Sequence, residues 1–193
     1  MAEKQDIMNE ISDEQMRKSL LLSQFILFSL GVMLHILFQR PFFQKVDFVL
    51  TPTLVLYYVL IPSFVIISID FIFDKKMPKK WIDDGGINDR LFRSCTNSQI
   101  FVFTLLIACC EEYLFRYVIQ GQFGWVIASL IFALVHVRYL SKIVLFLQVV
   151  IISFVFGWIY KETDSLALVI LLHWTIDLVL GLYIKKRQKN PRS

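Results

Sequence analysis

The sequence is poor in the features that mark secreted, barrel and repeat proteins. It has three cysteines in 193 residues, and their places exclude a disulfide framework: Cys95 falls in a polar join, whereas Cys109 and Cys110 lie side by side inside an apolar run. The adjacent pair reads as small apolar packing residues rather than as catalytic thiols. No alternation of apolar and polar residues runs through the apolar segments, which excludes lipid-facing barrel strands. There is no internal repeat and no low-complexity tract. No small-residue cleavage site follows the first apolar run, so that run is expected to stay as a helix rather than leave as a signal peptide. His-Glu-x-x-His, the zinc-protease helix signature, is also missing. The net charge of +4 calls for no nucleic acid, because cationic juxtamembrane segments facing anionic lipid account for it.

What the sequence has in excess is apolar length. Hydrophobic residues make up 56% of the chain, with mean hydropathy +0.61, against roughly 45–50% in soluble domains. Six runs stand out, at 20–38, 48–73, 100–119, 123–140, 143–160 and 166–184. Each approaches the roughly 17–25 residues with which a helix crosses a bilayer. The expected fold is an all-α polytopic bundle of about six transmembrane helices, hence a multi-pass protein of the cell membrane with lipid as its surroundings. With the N-terminus placed in the cytoplasm, sixteen basic residues face that side and four the other, so both termini are expected to be cytoplasmic. Residues 1–18 form a charged leader, either a solvated tail or an interfacial helix on Ile7, Met8 and Ile11. Residues 19–184 form one membrane domain and 185–193 a basic tail. The segment 74–99 carries a lysine cluster and the turn signal Asp83-Asp84-Gly85-Gly86. Its "NDRLFRS" stretch could form a short interfacial helix with Leu91 and Phe92 toward lipid, and the segment as a whole reads as a topological spacer before a substrate-contacting loop.

Polar residues inside the runs concentrate in the third, fourth and sixth. The third, "LLIACCEEYLFRYVIQ", carries Glu111, Glu112 and Arg116. A charge at a helix centre costs roughly 2.5–3.5 kcal/mol to insert, whereas a good apolar residue returns about 0.3–0.6. Three charges thus cancel most of the run's gain and must be buried against partner helices or a water-filled cavity, the usual setting of an intramembrane functional site. At about 100° per residue, Glu112 and Arg116 lie about 40° apart, a natural i,i+4 ion pair. Glu111 lies about 140° from Arg116 and is freer to act as a base, since a carboxylate out of bulk water suits proton abstraction. The fourth run offers His136 with Phe132 one turn before it. Arg138 is placed to snorkel. The sixth run offers His173 and Asp177 at i,i+4. Taken singly, each histidine reads as interhelical glue; taken with the carboxylates, the set reads as a site. His35 has no such company and reads as a packing residue. One mismatch stands: His136 is shallower than Glu111 and His173 by roughly 8 Å, which helix tilt or a longer fourth helix would have to close.

The three segments resemble the motifs of the CPBP family, which includes the type II CAAX prenyl endopeptidases and the bacteriocin-processing and self-immunity proteins. "EEYLFR" is similar to the first motif, "FALVH" to the second and "HWTID" to the third, in the family's order. The resemblance implies an intramembrane endopeptidase acting on membrane-associated peptides or proteins. By position, Glu111 and His136 would activate water, and His173 and Asp177 would support the oxyanion or orient the site. Glu112, Arg116 and Phe132 would give structural support. The family has been described both as metalloproteases and as metal-free glutamate proteases. If zinc is present, His136, His173, Glu111 and Asp177 are its candidate ligands; otherwise no cofactor is needed. Asp177 stands where CAAX-type enzymes often carry Asn, and an ionised Asp cannot donate to an oxyanion. Two other functions use the same residues. One is a non-catalytic membrane partner, an immunity or regulatory protein. The other is a small ion-coupled transporter, although no broken helix pair of the transporter kind is visible beyond Pro52 and Pro62. Oligomeric state is not legible.

Overall fold

The structure, a computed structural model, describes residues 11–39, 43, 45–82, 85–140 and 142–187. The expectations for Ile7, Met8 and the end of the basic tail lie outside these residues. Five helices are long and apolar enough to cross a membrane: α1 (Asp13–Leu37), α2 (Pro52–Lys76), α4 (Asn97–Phe123), α6 (Ile143–Thr163) and α7 (Leu166–Arg187). Among the shorter helices are α3 (Ile87–Ser94) before α4 and α5 (Trp125–Val135) after it. No strand occurs among the described residues.

Local chemistry sets the helix starts. Ser12 and Gln15 form a capping box at α1, and Thr96 and Gln99 form another at α4, each satisfying two donors that a helix N-terminus leaves open. Thr51 caps α2 with Pro52 at its first position, where a missing N–H costs nothing. Further along, Pro62 has no N–H to give the carbonyl of Tyr58. The turn just before it, Leu56–Leu60, opens into a π-helix. A second π segment, Tyr113–Gln120, interrupts α4 immediately after Glu112. The joins are short: Gly124, with φ of +82°, alone separates α4 from α5.

α4 is the hub. It packs most extensively on α7, and α1 and α5 flank it. α5 and α6 pair closely, and α2 lies on α7. One apolar core forms where α4 meets α6 and α7, around Val118, Phe156, Ile159, Leu168 and Leu172. A second joins α4 to α5 through Phe115, Ile119, Ala128 and Phe132. A third seats α3 through Leu91, with Met16, Cys95 and Ile100.

Two expectations change here. Leu91 is 6% exposed and Phe92 packs on the same cluster, so α3 turns its apolar side to protein rather than to lipid. A Cβ on Gly181 of α7 would come within 3.1 Å of the Phe92 ring, so a small residue at that position lets the two helices close. Nor is 74–99 a bare spacer. Arg90 pairs with Asp13 at 2.9 Å, Arg17 donates to Ser94 at 3.2 Å, and Arg187 bridges Asp74 and Asp89. These contacts gather the start of α1 and the ends of α2 and α7 on one face around α3.

Candidate active site

The three charges of α4 do not share one environment. Arg116 and Glu112 are both fully buried and pair at 3.0 Å from Nε to Oε2. The guanidinium also donates to Ser153 Oγ at 3.0 Å and Ser129 Oγ at 3.4 Å, and it lies 5.1 Å over the Phe132 ring. Ser129 and Ser153 each donate to the other's backbone carbonyl, at 3.0 and 3.1 Å, which ties α5 to α6 at the level of Arg116. A Cβ on Gly157 would fall 2.7 Å from Ser129 Oγ and 3.2 Å from Arg116 Nη1. Only glycine allows α6 this approach. Gln120, also buried, donates to the Gly157 carbonyl at 2.7 Å. A buried charge needs its partners supplied by protein, and here α4, α5 and α6 supply them.

The other oxygen of Glu112 points across to α7. His173 Nδ1 lies 2.7 Å from Glu112 Oε1; a carboxylate accepts, so Nδ1 carries the proton. The opposite ring nitrogen, Nε2, lies 3.5 Å from Asp177 Oδ2. His173 thus stands between two carboxylates, Glu112 deep in the bundle and Asp177 at its partly open edge. Glu112 is not merely the partner of Arg116, as i,i+4 spacing suggests, but the bridge between Arg116 and His173.

Glu111 differs from its neighbour in every respect. It is 9% exposed and makes no hydrogen bond or ion pair among the described residues. Its carboxyl lies within electrostatic reach of His173 and Asp177. Cys109 and Cys110, just before it, carry free thiols.

His136 lies just beyond the end of α5, not inside it. α5 is not longer than the apolar run suggests but shorter, stopping at Val135. The cause is a competition for one carbonyl. His136 Nδ1 takes the Phe132 carbonyl at 2.8 Å, the acceptor that a continuing helix would give the His136 backbone N–H. That N–H turns to Ala133 instead, and the chain enters a 3-10 turn over Val137–Tyr139. Because a carbonyl only accepts, the Nδ1 proton is fixed and Nε2 presents its lone pair when the ring is neutral. The ring lies 4.7 Å from Phe132 and 5.9 Å from Tyr139, nearly parallel to the latter, and is within electrostatic reach of His173 and Asp177. Phe132 itself is 4% exposed.

His35 bonds Tyr113 at 2.9 Å, joining α1 to the π segment away from the charged cluster. The polar residues are not confined to the three runs expected. Asp70 of α2 accepts from Gln148 of α6 at 2.6 Å and lies within electrostatic reach of Asp177. Ser129, Ser153, Gln120, Asp70 and Gln148 were not legible as site residues. For one pair a signal existed: Ser153 and Gly157 make a small-xxx-small spacing, which marks close helix approach in membranes.

A zinc ion needs several donors converging on one point. Among the described residues no group of three or more His, Cys, Asp or Glu side chains is arranged to hold a metal ion. Glu111, His136, His173 and Asp177 are not gathered into such a group among the described residues.

Comparison with known proteins adds a family to this geometry. The aligned relatives include the uncharacterized protein YpbD of Bacillus subtilis, 43% identical over 121 residues, or 63% of this chain and 64% of that protein. The UPF0177 protein YxdF of Lactococcus lactis is 28% identical over 107 residues, or 53% of this chain and 59% of that protein. Both alignments span less than two thirds of the relative. No solved structure matches the chain. Residues 94–179, which hold every residue from α4 to Asp177 described above, are similar to the family model for type II CAAX prenyl endopeptidase Rce1-like proteins.

Proposed function

We propose that the chain is an intramembrane endopeptidase that hydrolyses peptide bonds of membrane-associated peptides or proteins, with Glu111 as its general base. One observation carries this reading: Glu111 is a nine-tenths buried carboxylate with no hydrogen bond among the described residues, beside a Glu112 whose two oxygens are both bonded. A structural carboxylate in a bilayer core is satisfied by its neighbours. One left with open lone pairs is suited to accept a proton.

In the mechanism, Glu111 takes a proton from water as the water oxygen attacks the scissile carbonyl carbon. His136, through Nε2, shares in orienting that water. The carbonyl π pair moves to oxygen, and His173, whose ring nitrogens face Glu112 and Asp177, lines the site beside the resulting oxyanion. Collapse of the tetrahedral intermediate breaks the C–N bond, and the proton held by Glu111 passes to the departing amine. A carboxylate accepts rather than donates, so Asp177, 3.5 Å from His173 Nε2, serves as the group that orients His173. Arg116 and Glu112 hold that histidine in place.

The test is cleavage of a membrane peptide by the full chain reconstituted in vesicles. Glu111→Gln should lower turnover by about 10²–10⁴-fold, the usual worth of a general base, with the unfolding midpoint unchanged. Cleavage at the wild-type rate by that variant would remove Glu111 from the mechanism. A cellular phenotype that survives Glu111→Gln would favour the non-catalytic partner. Activity followed through chelation, with metal content measured alongside, decides whether a metal takes part.

A further inference from the structure

We propose that Tyr139 is a positioning residue for His136, and that α3 holds it there through Asn88. The proposal rests on the peptidase reading and names a part of its machinery that lies outside the three motif segments.

His136 sits beyond the end of α5, where no helical hydrogen bond fixes its backbone in the usual way. Its N–H bonds Ala133 and its carbonyl accepts from Tyr139 N–H at 2.9 Å, both in the 3-10 pattern. A residue at a frayed helix end keeps one side-chain orientation only if other groups hold it. Two do. Phe132 offers a carbonyl at 2.8 Å and a ring at 4.7 Å. Tyr139 lies 5.9 Å away with its plane only 16° from that of the imidazole.

Tyr139 is itself in a short turn, so its ring needs an anchor from elsewhere. Its hydroxyl accepts from Asn88 Nδ2 at 3.2 Å and from Arg138 Nη2 at 2.6 Å. Arg138 also donates to Asn88 Oδ1 at 3.2 Å, closing the triangle, and its guanidinium covers the Tyr139 ring at 4.8 Å. Asn88 can serve as an anchor because α3 is wedged between α1, α4 and α7 by its buried Leu91 and by the Arg90–Asp13 and Arg187–Asp89 pairs. The chain of contact therefore runs from a seated helix, through an amide and a phenol, to the imidazole whose Nε2 faces the reaction. Loss of the tether leaves the imidazole present but misaimed, which affects turnover more than binding.

The experiment uses the full chain in detergent micelles with nitrogen-15-labelled histidine; the chain has three histidines, assigned with His35 and His173 variants. Asn88→Ala and Tyr139→Phe are expected to shift the His136 ring-nitrogen signals away from those of a single Nδ1–H tautomer. In the cleavage assay each should lower kcat by about ten- to hundredfold with KM unchanged. The double variant should be no worse than either single one, because both break one tether. Asn88→Asp should restore kcat, since Tyr139 can donate to the carboxylate and Arg138 still pairs with it. His136 signals unchanged in Asn88→Ala and Tyr139→Phe would overturn the tether, whatever the activity. A wild-type protein no more active than Glu111→Gln, with His136 signals that still respond to Asn88→Ala, would overturn the peptidase reading and leave the tether standing.

Discussion

α1 and α2 are as hydrophobic as α7, yet they have a different relation to the protein. The most apolar 18 residues of α1 and of α2 are each only 11% buried, whereas those of α4 are 44% and those of α7 33% buried. The outer helices show large side chains outward, with Phe64 at 74%, Ile36 at 71% and Phe25 at 67% exposure. α4, with the lowest mean hydropathy of the five, 1.5, is the most enclosed. In a bilayer, apolar surface gains nothing by leaving lipid for protein, so nothing draws α1 and α2 inward, whereas the polar α4 is enclosed by the helices that satisfy it. Burial here follows the need to satisfy Glu112, Arg116 and Gln120, the reverse of a soluble core.

If that is the organising rule, its sharpest test is to leave one buried charge alone. Glu112→Leu strips Arg116 of its carboxylate and His173 of its Nδ1 acceptor, and should cost about 3–5 kcal/mol, the range for breaking a buried pair from one side. Replacing both partners, Glu112→Leu with Arg116→Met, should recover much of that stability in a thermal-unfolding series while leaving His173 unheld and the protein inactive. A double variant as unstable as the single would mean that the pair, not its isolation, sets the cost.

A smaller effect isolates the serines. Ser153→Ala removes a hydrogen bond to a buried guanidinium and the reciprocal bond to the Ser129 carbonyl. A loss of about 1.5–3 kcal/mol is expected, read from the same unfolding midpoints. Ser23, on the exposed side of α1, bonds only its own helix at Leu20, and Ser23→Ala should pass nearly unnoticed.

Glycine gives a matched pair across the two regions. Gly157→Ala pushes a methyl onto Ser129 Oγ and Arg116 Nη1, both held by other bonds, and onto Gln120 Oε1, and should cost about 1–3 kcal/mol as overpacking. Gly31→Ala in α1 meets the Tyr113 ring at 2.9 Å. The Tyr113 hydroxyl is held by His35, so the ring must tilt about that bond to give way, whereas alanine recovers about 0.5–1 kcal/mol of helix propensity. The net change should stay within about 1 kcal/mol of zero. Equal losses at the two glycines would mean that α1 is as tightly held as α6.

The same contrast explains what was legible beforehand. Hydropathy located the five long apolar helices because each coincides with a long apolar run, and helical spacing located the Glu112–Arg116 pair because i,i+4 residues share one helix face. The fourth run misled because its end is set by a single side chain: His136 captures the Phe132 carbonyl, which no apolar average registers. The choice of Glu112 rather than Glu111 as the partner of His173 was beyond reach for a related reason. It depends on how α4 and α7 are rotated against each other, and a π segment starts between Glu112 and Arg116, where even spacing was assumed. Asp70 gives no such signal, because it lies in a long apolar run and its partner, Gln148, is 78 residues away in sequence.

The smallest expected effect is the most demanding test of the rule. Phe64 is the most exposed large apolar side chain described, at 74%, and Phe64→Leu exchanges one lipid-facing apolar group for another. In water, trimming an enclosed phenylalanine would forfeit transfer free energy and leave a cavity. Facing acyl chains, it should forfeit neither, because lipid fills the space and the transfer is from one hydrocarbon to another. The midpoint in vesicles should therefore move by less than about 0.5 kcal/mol. Phe156→Leu, at 1% exposure between α4 and α7 and 5.3 Å from the His173 ring, is the control that should move it. A Phe64→Leu loss as large as that of Phe156→Leu would place Phe64 against protein in the membrane, under a second copy or a partner, and α2 would no longer count as periphery.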